Sequence, residues 1–171
     1  MRYFVLSLIV FLLLALQTPL LHVLGLSAYS IDVALLAAVY FAATSGPLGG
    51  FVASALVGLG ADAFTPGGIL GMNMEIMGIM YLVALGLSGR FQLLRPLPLI
   101  LVLVVCSVTE TLLFFLFSIL FDKYFTQYST VLTGAVPRTM VTALLGPLLF
   151  LVFGAVDSRL RGRRQPSPLL R

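Results

Sequence analysis

Charged residues are scarce in this 171-residue chain: only 9% of its residues are charged, while 60% are hydrophobic. A soluble domain carries about 25% charged residues. Most of the surface must therefore face lipid. The chain is long enough for about six spans of roughly 20 residues, with little left over for a soluble domain. We expect one membrane domain over residues 1–164 and a short cytoplasmic tail over residues 165–171.

Cysteine and histidine each occur only once. Cys106 stands alone in an apolar run, so it offers no disulfide and no thiolate metal site, and we expect it to be a small buried residue. His22 has no partners for a metal site or a serine–histidine–aspartate triad. The H-E-x-x-H and G-x-S-x-G motifs and a phosphate-binding glycine loop are missing as well. The sequence therefore predicts neither catalysis nor a cofactor.

Long apolar runs predict an all-α integral membrane protein with six transmembrane helices. Their approximate bounds are 3–24, 30–44, 47–63, 69–87, 97–121 and 131–156. The second and third runs are short, which leaves open that they are tilted and do not cross the bilayer completely. A cleaved signal peptide is the alternative for the first run, but its apolar stretch is long for one.

The distribution of basic residues predicts the orientation. Five of the ten lie in the segment 159–171, next to the last span, which is typical of contact with anionic headgroups and argues against nucleic acid. A cytoplasmic N-terminus with six spans places only Lys123 and Arg138 outside. We therefore expect both termini in the cytoplasm, because an odd number of spans would separate Arg2 from the basic tail.

Small residues recur every four positions in the segment 31–73. Such spacing lets helices approach closely inside a membrane, where packing replaces the hydrophobic effect. We expect contacts with another helix, of this chain or of a partner, along this small-residue ridge and at the following turn. The residues predicted for helix packing or partner binding are Gly46, Gly49, Gly50, Ser54, Gly58, Asp62, Gly67 and Gly71.

Glu110 is the deepest acidic residue of the predicted spans, roughly 20 Å into the fifth from its start at 1.5 Å per residue. Ionisable groups at this depth are candidates for a function. Ser107 and Thr111 share its helical face, so Glu110 should face protein or water rather than lipid. Arg138 in the sixth span is predicted to reach it. We interpret Glu110 and Arg138 as a structural polar pair, because no chain of further acids or histidines continues a proton path.

Three other acidic residues lie near helix ends. Asp32 opens the second span, where an acid stabilises a helix N-terminus. Asp62 ends the third span, where the helix dipole disfavours it, so we expect it to cap the following turn or helix. Glu75 lies one turn into the fourth span, near the outer surface. The sequence leaves its role open.

The order of the motifs in segment 31–73 resembles the bacterial rod shape-determining MreD family. The motifs are Ile31-Asp32, Tyr40-Phe41-Ala42, Gly46-Pro47-Leu48-Gly49-Gly50, Gly58-x-x-x-Asp62 and Gly67-Gly68-x-Leu70-Gly71-Met72-Asn73. Arg138, followed by Gly146-Pro147, is similar to the last helix of that family. Ile31 stands where the family usually has proline.

The resemblance implies a non-catalytic scaffold of the cell-elongation machinery in the bacterial inner membrane. It implies binding to the membrane protein MreC through membrane helices, and through MreC an indirect association with MreB, RodA and a penicillin-binding transpeptidase. It also implies a helical bundle similar to the substrate-binding subunits of energy-coupling-factor transporters. Whether the chain also forms a homodimer stays open.

A substrate-binding subunit of a vitamin transporter is the alternative function. It predicts a polar pocket near the outer surface, built around Glu75 and Glu110. The predicted outer loops are short and apolar and form no obvious lid, so we favour the scaffold.

Overall fold

The computed structural model describes residues 2–23, 30–64, 70–91, 95–121 and 128–161. The regular secondary structure of these residues is entirely α-helical, as the sequence predicts. The six helices are α1 (Arg2–Val23), α2 (Val33–Thr44), α3 (Pro47–Asp62), α4 (Met72–Ser88), α5 (Pro96–Phe121) and α6 (Tyr128–Arg161).

Local sequence explains the bounds of the shortest helix. Asp32 is the N-cap of α2, and its side chain accepts a hydrogen bond from the Leu35 N–H. Ser45 then ends α2 in an extended conformation. Pro47 starts α3 at a position where its missing N–H costs nothing. With 12 residues, α2 is about 18 Å long, shorter than the roughly 30 Å hydrocarbon core of a bilayer.

The other five helices surround α2. Contacts connect α1 with α3, α3 with α4, α4 with α5, α5 with α6 and α6 with α1, while α2 contacts all five. The ten residues Val33 to Ala42 of α2 are all buried. A helix that is apolar on every side is stable only when it is enclosed in this way or lies in lipid. The protein is therefore a ring of five helices around a central helix.

The outside of the ring is apolar. Leu97 of α5 and Leu144 and Leu151 of α6 are 79%, 76% and 72% exposed, and similar side chains project from the other outer helices. In the part of the chain described, α5 and α6 contain stretches long and apolar enough to cross a membrane, Pro96–Leu120 and Thr133–Leu160. The apolar stretches of the other four helices have 10 to 17 residues.

The helix α6 differs most from its predicted bounds. The apolar run ends near residue 156, but the helix begins at Tyr128 and continues to Arg161 with Pro137 and Pro147 inside it. Hydropathy marks only the apolar part of a helix, whereas backbone hydrogen bonding continues into its polar ends. The opposite correction applies to α2, which begins three residues after the predicted start because Asp32 caps it.

Candidate functional site

The N-terminal end of the central helix carries the main polar cluster. Asp32 is 3% exposed, and its Oδ1 accepts a hydrogen bond of 2.9 Å from the backbone N–H of Leu35. The Asp32 backbone N–H donates to Oγ1 of Thr142 in α6, at 2.9 Å. One residue therefore caps α2 and ties it to α6.

Arg138 joins this end of α2 to α5 and α6. Its Nη2 donates to Oδ2 of Asp32 and, at 3.2 Å, to Oε1 of Glu110. The structure thus brings Glu110 and Arg138 together, as the sequence suggests, and adds Asp32 as a third member. We call these three residues the charge cluster. The two carboxyl side chains are 2% and 10% exposed, whereas the Arg138 side chain is 44% exposed.

The Arg138 guanidinium is the positive partner of both buried carboxyl groups. Removing one member of such a buried group is strongly destabilising, since it leaves a buried charge without its partner.

Neutral polar groups surround the charge cluster. The hydroxyl groups of Ser107 in α5 and Thr139 in α6 are 2.7 Å apart. The Nε2 of Gln17 in α1 donates to the carbonyl oxygen of Ile31, the residue before Asp32, at 2.7 Å. The polar groups at this end of α2 therefore connect four helices, α1, α2, α5 and α6.

Asp62 connects α3 to the start of α4. Its carboxylate accepts hydrogen bonds from the backbone N–H groups of Gly71, Asn73 and Met74, at 3.0, 3.0 and 3.3 Å. The Asn73 side chain donates a fourth bond of 2.9 Å. These contacts agree with the expectation that Asp62 caps the following helix. The carboxylate satisfies N–H groups that a helix N-terminus otherwise leaves without partners.

The small-residue ridge packs mainly against α4 of the same chain. A Cβ at Gly50 would overlap the Tyr81 ring, and one at Gly58 would overlap the backbone of Asn73 and Met74. Ser54 lies between them and is fully buried. These residues are therefore occupied by internal packing and are not a free surface for a partner helix.

The other predicted packing residues have different environments. A Cβ at Gly46 or Gly71 would meet nothing within 4 Å, so neither glycine serves a close helix approach. Gly46 is the N-cap of α3, and its carbonyl oxygen accepts a bond of 3.3 Å from the Tyr81 hydroxyl. Gly71 is required by its positive φ of 96° before α4. Gly49 is half-buried, and Gly67 lies outside the described residues.

Another buried acid was missed by the sequence analysis. Asp157 near the end of α6 is 3% exposed, and its Oδ2 accepts a bond of 3.1 Å from the Tyr40 hydroxyl in α2. The rings of Phe150 and Phe153 pack edge-on against Tyr40. The two partners are 117 residues apart, so no local pattern could have paired them.

The remaining candidate residues do not join the charge cluster. Glu75 is exposed in the first turn of α4. Cys106 is fully buried, as expected. The His22 side chain lies outside what the structure describes. Among the described residues, no group of three or more His, Cys, Asp or Glu could hold a metal ion.

A groove of about 690 Å³ runs between α5 and α6 on the outside of the ring. Its walls are apolar apart from the hydroxyl groups of Thr111 and Thr139. Thr111 donates to the Ser107 carbonyl oxygen of its own helix, so its hydroxyl is already satisfied.

The comparisons with known proteins identify no relative. No family model matches the chain, and no curated protein or solved structure is significantly similar to it.

Proposed function

We propose that this protein is a multi-pass protein of the bacterial inner membrane. The distribution of polarity supports this proposal. The carboxyl groups of Asp32 and Glu110 are in the interior, and large apolar side chains cover the outside, the reverse of what water favours. In this proposal all six helices lie in the membrane, and α2 is held at membrane depth by the five helices around it. Both termini are cytoplasmic, according to the positive-inside rule.

Within that class, we propose a non-catalytic scaffold of the cell-elongation machinery that binds MreC through membrane helices. One observation carries this choice: the residues on which the MreD resemblance depends hold helices together. Asp62 caps α4, and the absence of a side chain at Gly58 allows the α4 backbone to pack closely. The backbone N–H of Asp32 in turn connects α2 to Thr142 of α6. Motif residues with such contacts specify an architecture rather than a reaction.

The position of the MreC contact follows from which surfaces are free. Gly50 and Gly58 are buried against α4, so a partner helix has to use the exposed faces of the ring. Photo-crosslinking residues placed at exposed positions test this directly. Leu112 and Leu144 border the α5–α6 groove, and Leu82 of α4 is an exposed control outside the groove.

The experiment combines this scan with depletion in a rod-shaped host that encodes the protein. The scaffold proposal expects crosslinks to MreC from one face of the ring and rounded cells on depletion. Cells that stay rod-shaped, together with no crosslink from any outer face, contradict it.

The transporter alternative rests on a different observation, the half-exposed Arg138 within the charge cluster. A substrate-binding subunit requires such a polar group facing a ligand. This alternative expects vitamin uptake to fall on depletion while cell shape is unchanged. The two functions therefore predict opposite outcomes for the same strain.

A further inference from the structure

Arg138 has hydrogen-bonding capacity that the protein does not use. A guanidinium carries five N–H donors, two of them on Nη2. Both hydrogen bonds of Arg138 come from Nη2, to Asp32 and to Glu110. The Nε donor and the two Nη1 donors have no acceptor in the part of the chain that the structure describes. The side chain that carries these donors is 44% exposed.

The position of Arg138 makes unused donors costly. Arg138 follows the start of α6 at Tyr128 by ten residues, about 15 Å along the helix. It lies within the stretch Thr133–Leu160, which is long and apolar enough to cross a membrane. Inside a bilayer, charged side chains face a cavity or a polar partner. These donors therefore need an acceptor beyond the residues that the structure describes.

The exposed side chain of the cluster decides which acceptor fits. The two carboxyl side chains are almost inaccessible, whereas the Arg138 side chain is 44% exposed. Donors with formal positive charge bind carboxylate and phosphate oxygens most strongly.

We propose that the exposed side of Arg138 is a binding site for an anionic oxygen group, a carboxylate or a phosphate. The group belongs either to a small soluble molecule or to a lipid headgroup. The site lies at the N-terminal end of the central helix, with Asp32 and Glu110 fixing the guanidinium from behind. This inference does not depend on the scaffold proposal, because a scaffold and a transporter subunit can both carry such a site.

The test uses the full chain, labelled with ¹⁵N-arginine and purified in a maltoside detergent that contains neither carboxylate nor phosphate. Separate arms add sodium acetate, sodium phosphate or phosphatidylglycerol, with sodium chloride keeping the ionic strength constant. The Nε–H signal of Arg138 is assigned by its loss in Arg138→Lys. Arg90, an exposed arginine just after α4, serves as the internal control.

We expect the Arg138 signal to shift and saturate in at least one arm, while the Arg90 signal does not saturate. Saturation with acetate or phosphate indicates a soluble ligand, and saturation with phosphatidylglycerol alone indicates a lipid headgroup. The same anion should raise the unfolding temperature of the wild type. In Arg138→Lys its apparent affinity should fall about tenfold or more, as for a lost charge-assisted hydrogen bond.

Two results overturn the proposal. Parallel, unsaturated responses of Arg138 and Arg90 in every arm show a hydrated arginine without a site. Unchanged anion affinity in Arg138→Lys places the binding elsewhere. Neither result bears on cell shape or on the crosslinks to MreC, so the scaffold proposal is judged separately.

Discussion

The close approach of α3 and α4 at Gly58 makes the substitution Gly58→Ala informative. A Cβ at this position would lie 2.7 Å from the Met74 Cα and 2.8 Å from the Asn73 carbonyl carbon, whereas ordinary contacts begin at 3.4 Å. The obstructing atoms are backbone, so no side-chain rotation can relieve the overlap. The Asn73 carbonyl oxygen would be closer still, so the start of α4 has to move away by at least about 0.7 Å, the difference between 3.4 and 2.7 Å, which close packing resists.

The size of the effect follows from three contributions. Forcing a methyl group into a packed interface costs about 1–3 kcal/mol. Replacing a helical glycine by alanine returns about 0.5–1 kcal/mol. The displacement also lengthens the bonds from Asn73 and Met74 to Asp62, which are already 3.0 and 3.3 Å long. We expect a net loss of about 1–3 kcal/mol in the free energy of unfolding.

Gly86→Ala is the matched control. Gly86 lies in the last turn of α4, is exposed, and has nothing within 4 Å of the position that a Cβ would occupy. Its substitution should leave stability unchanged or raise it by up to about 1 kcal/mol. Both variants are measured by reversible SDS unfolding in mixed micelles, followed by far-UV circular dichroism. A Gly58→Ala variant as stable as Gly86→Ala would refute the argument that Gly58 is needed for the α3–α4 approach.

Five further substitutions test three sets of polar contacts by the same unfolding assay. Asp62→Ala removes the acceptor of four hydrogen bonds and should lower the free energy of unfolding by about 1–3 kcal/mol. Asp62→Asn should be less affected. An alanine variant of unchanged stability would contradict the cap. Arg138→Met leaves buried carboxyl groups without a cation and should lower the free energy of unfolding by about 3–5 kcal/mol. Glu110→Gln keeps an acceptor for Arg138 and should lower it less. The reverse order of the two variants would contradict the charge cluster. Tyr40→Phe removes the hydroxyl that donates to Asp157 and should cost about 1–3 kcal/mol, and a variant of wild-type stability would show that this bond contributes nothing.

Contacts between neighbouring helices were accessible from the sequence. Asp62 and the residues that it caps are 9 to 12 positions apart, across one short turn. The helix dipole disfavours an acid at the C-terminal end of α3, so Asp62 was predicted to cap the following turn or helix. The small-residue spacing likewise indicated a close helix approach. The spacing could not identify α4 as the helix that approaches, because many side chains fit such a ridge.

Contacts between distant helices were not accessible in the same way. Asp32 has a sufficient local role as the N-cap of α2, and that role conceals its second contact with Arg138, 106 residues away. Hydrophobic periodicity also could not predict the position of α2, because an apolar helix has the same sequence pattern whether lipid or protein surrounds it. Its central place in the ring depends on all five other helices and on no single local signal.

The separation of the charge cluster along the chain has a consequence for biosynthesis. The ribosome makes Asp32 early and Glu110 later, but Arg138 belongs to the last helix. Until α6 is synthesised, the nascent chain holds both carboxyl groups without their guanidinium. A chain truncated before α6 therefore lacks one of the five helices around α2 and also the guanidinium that pairs with Asp32 and Glu110. Cellular quality control can recognise this combination.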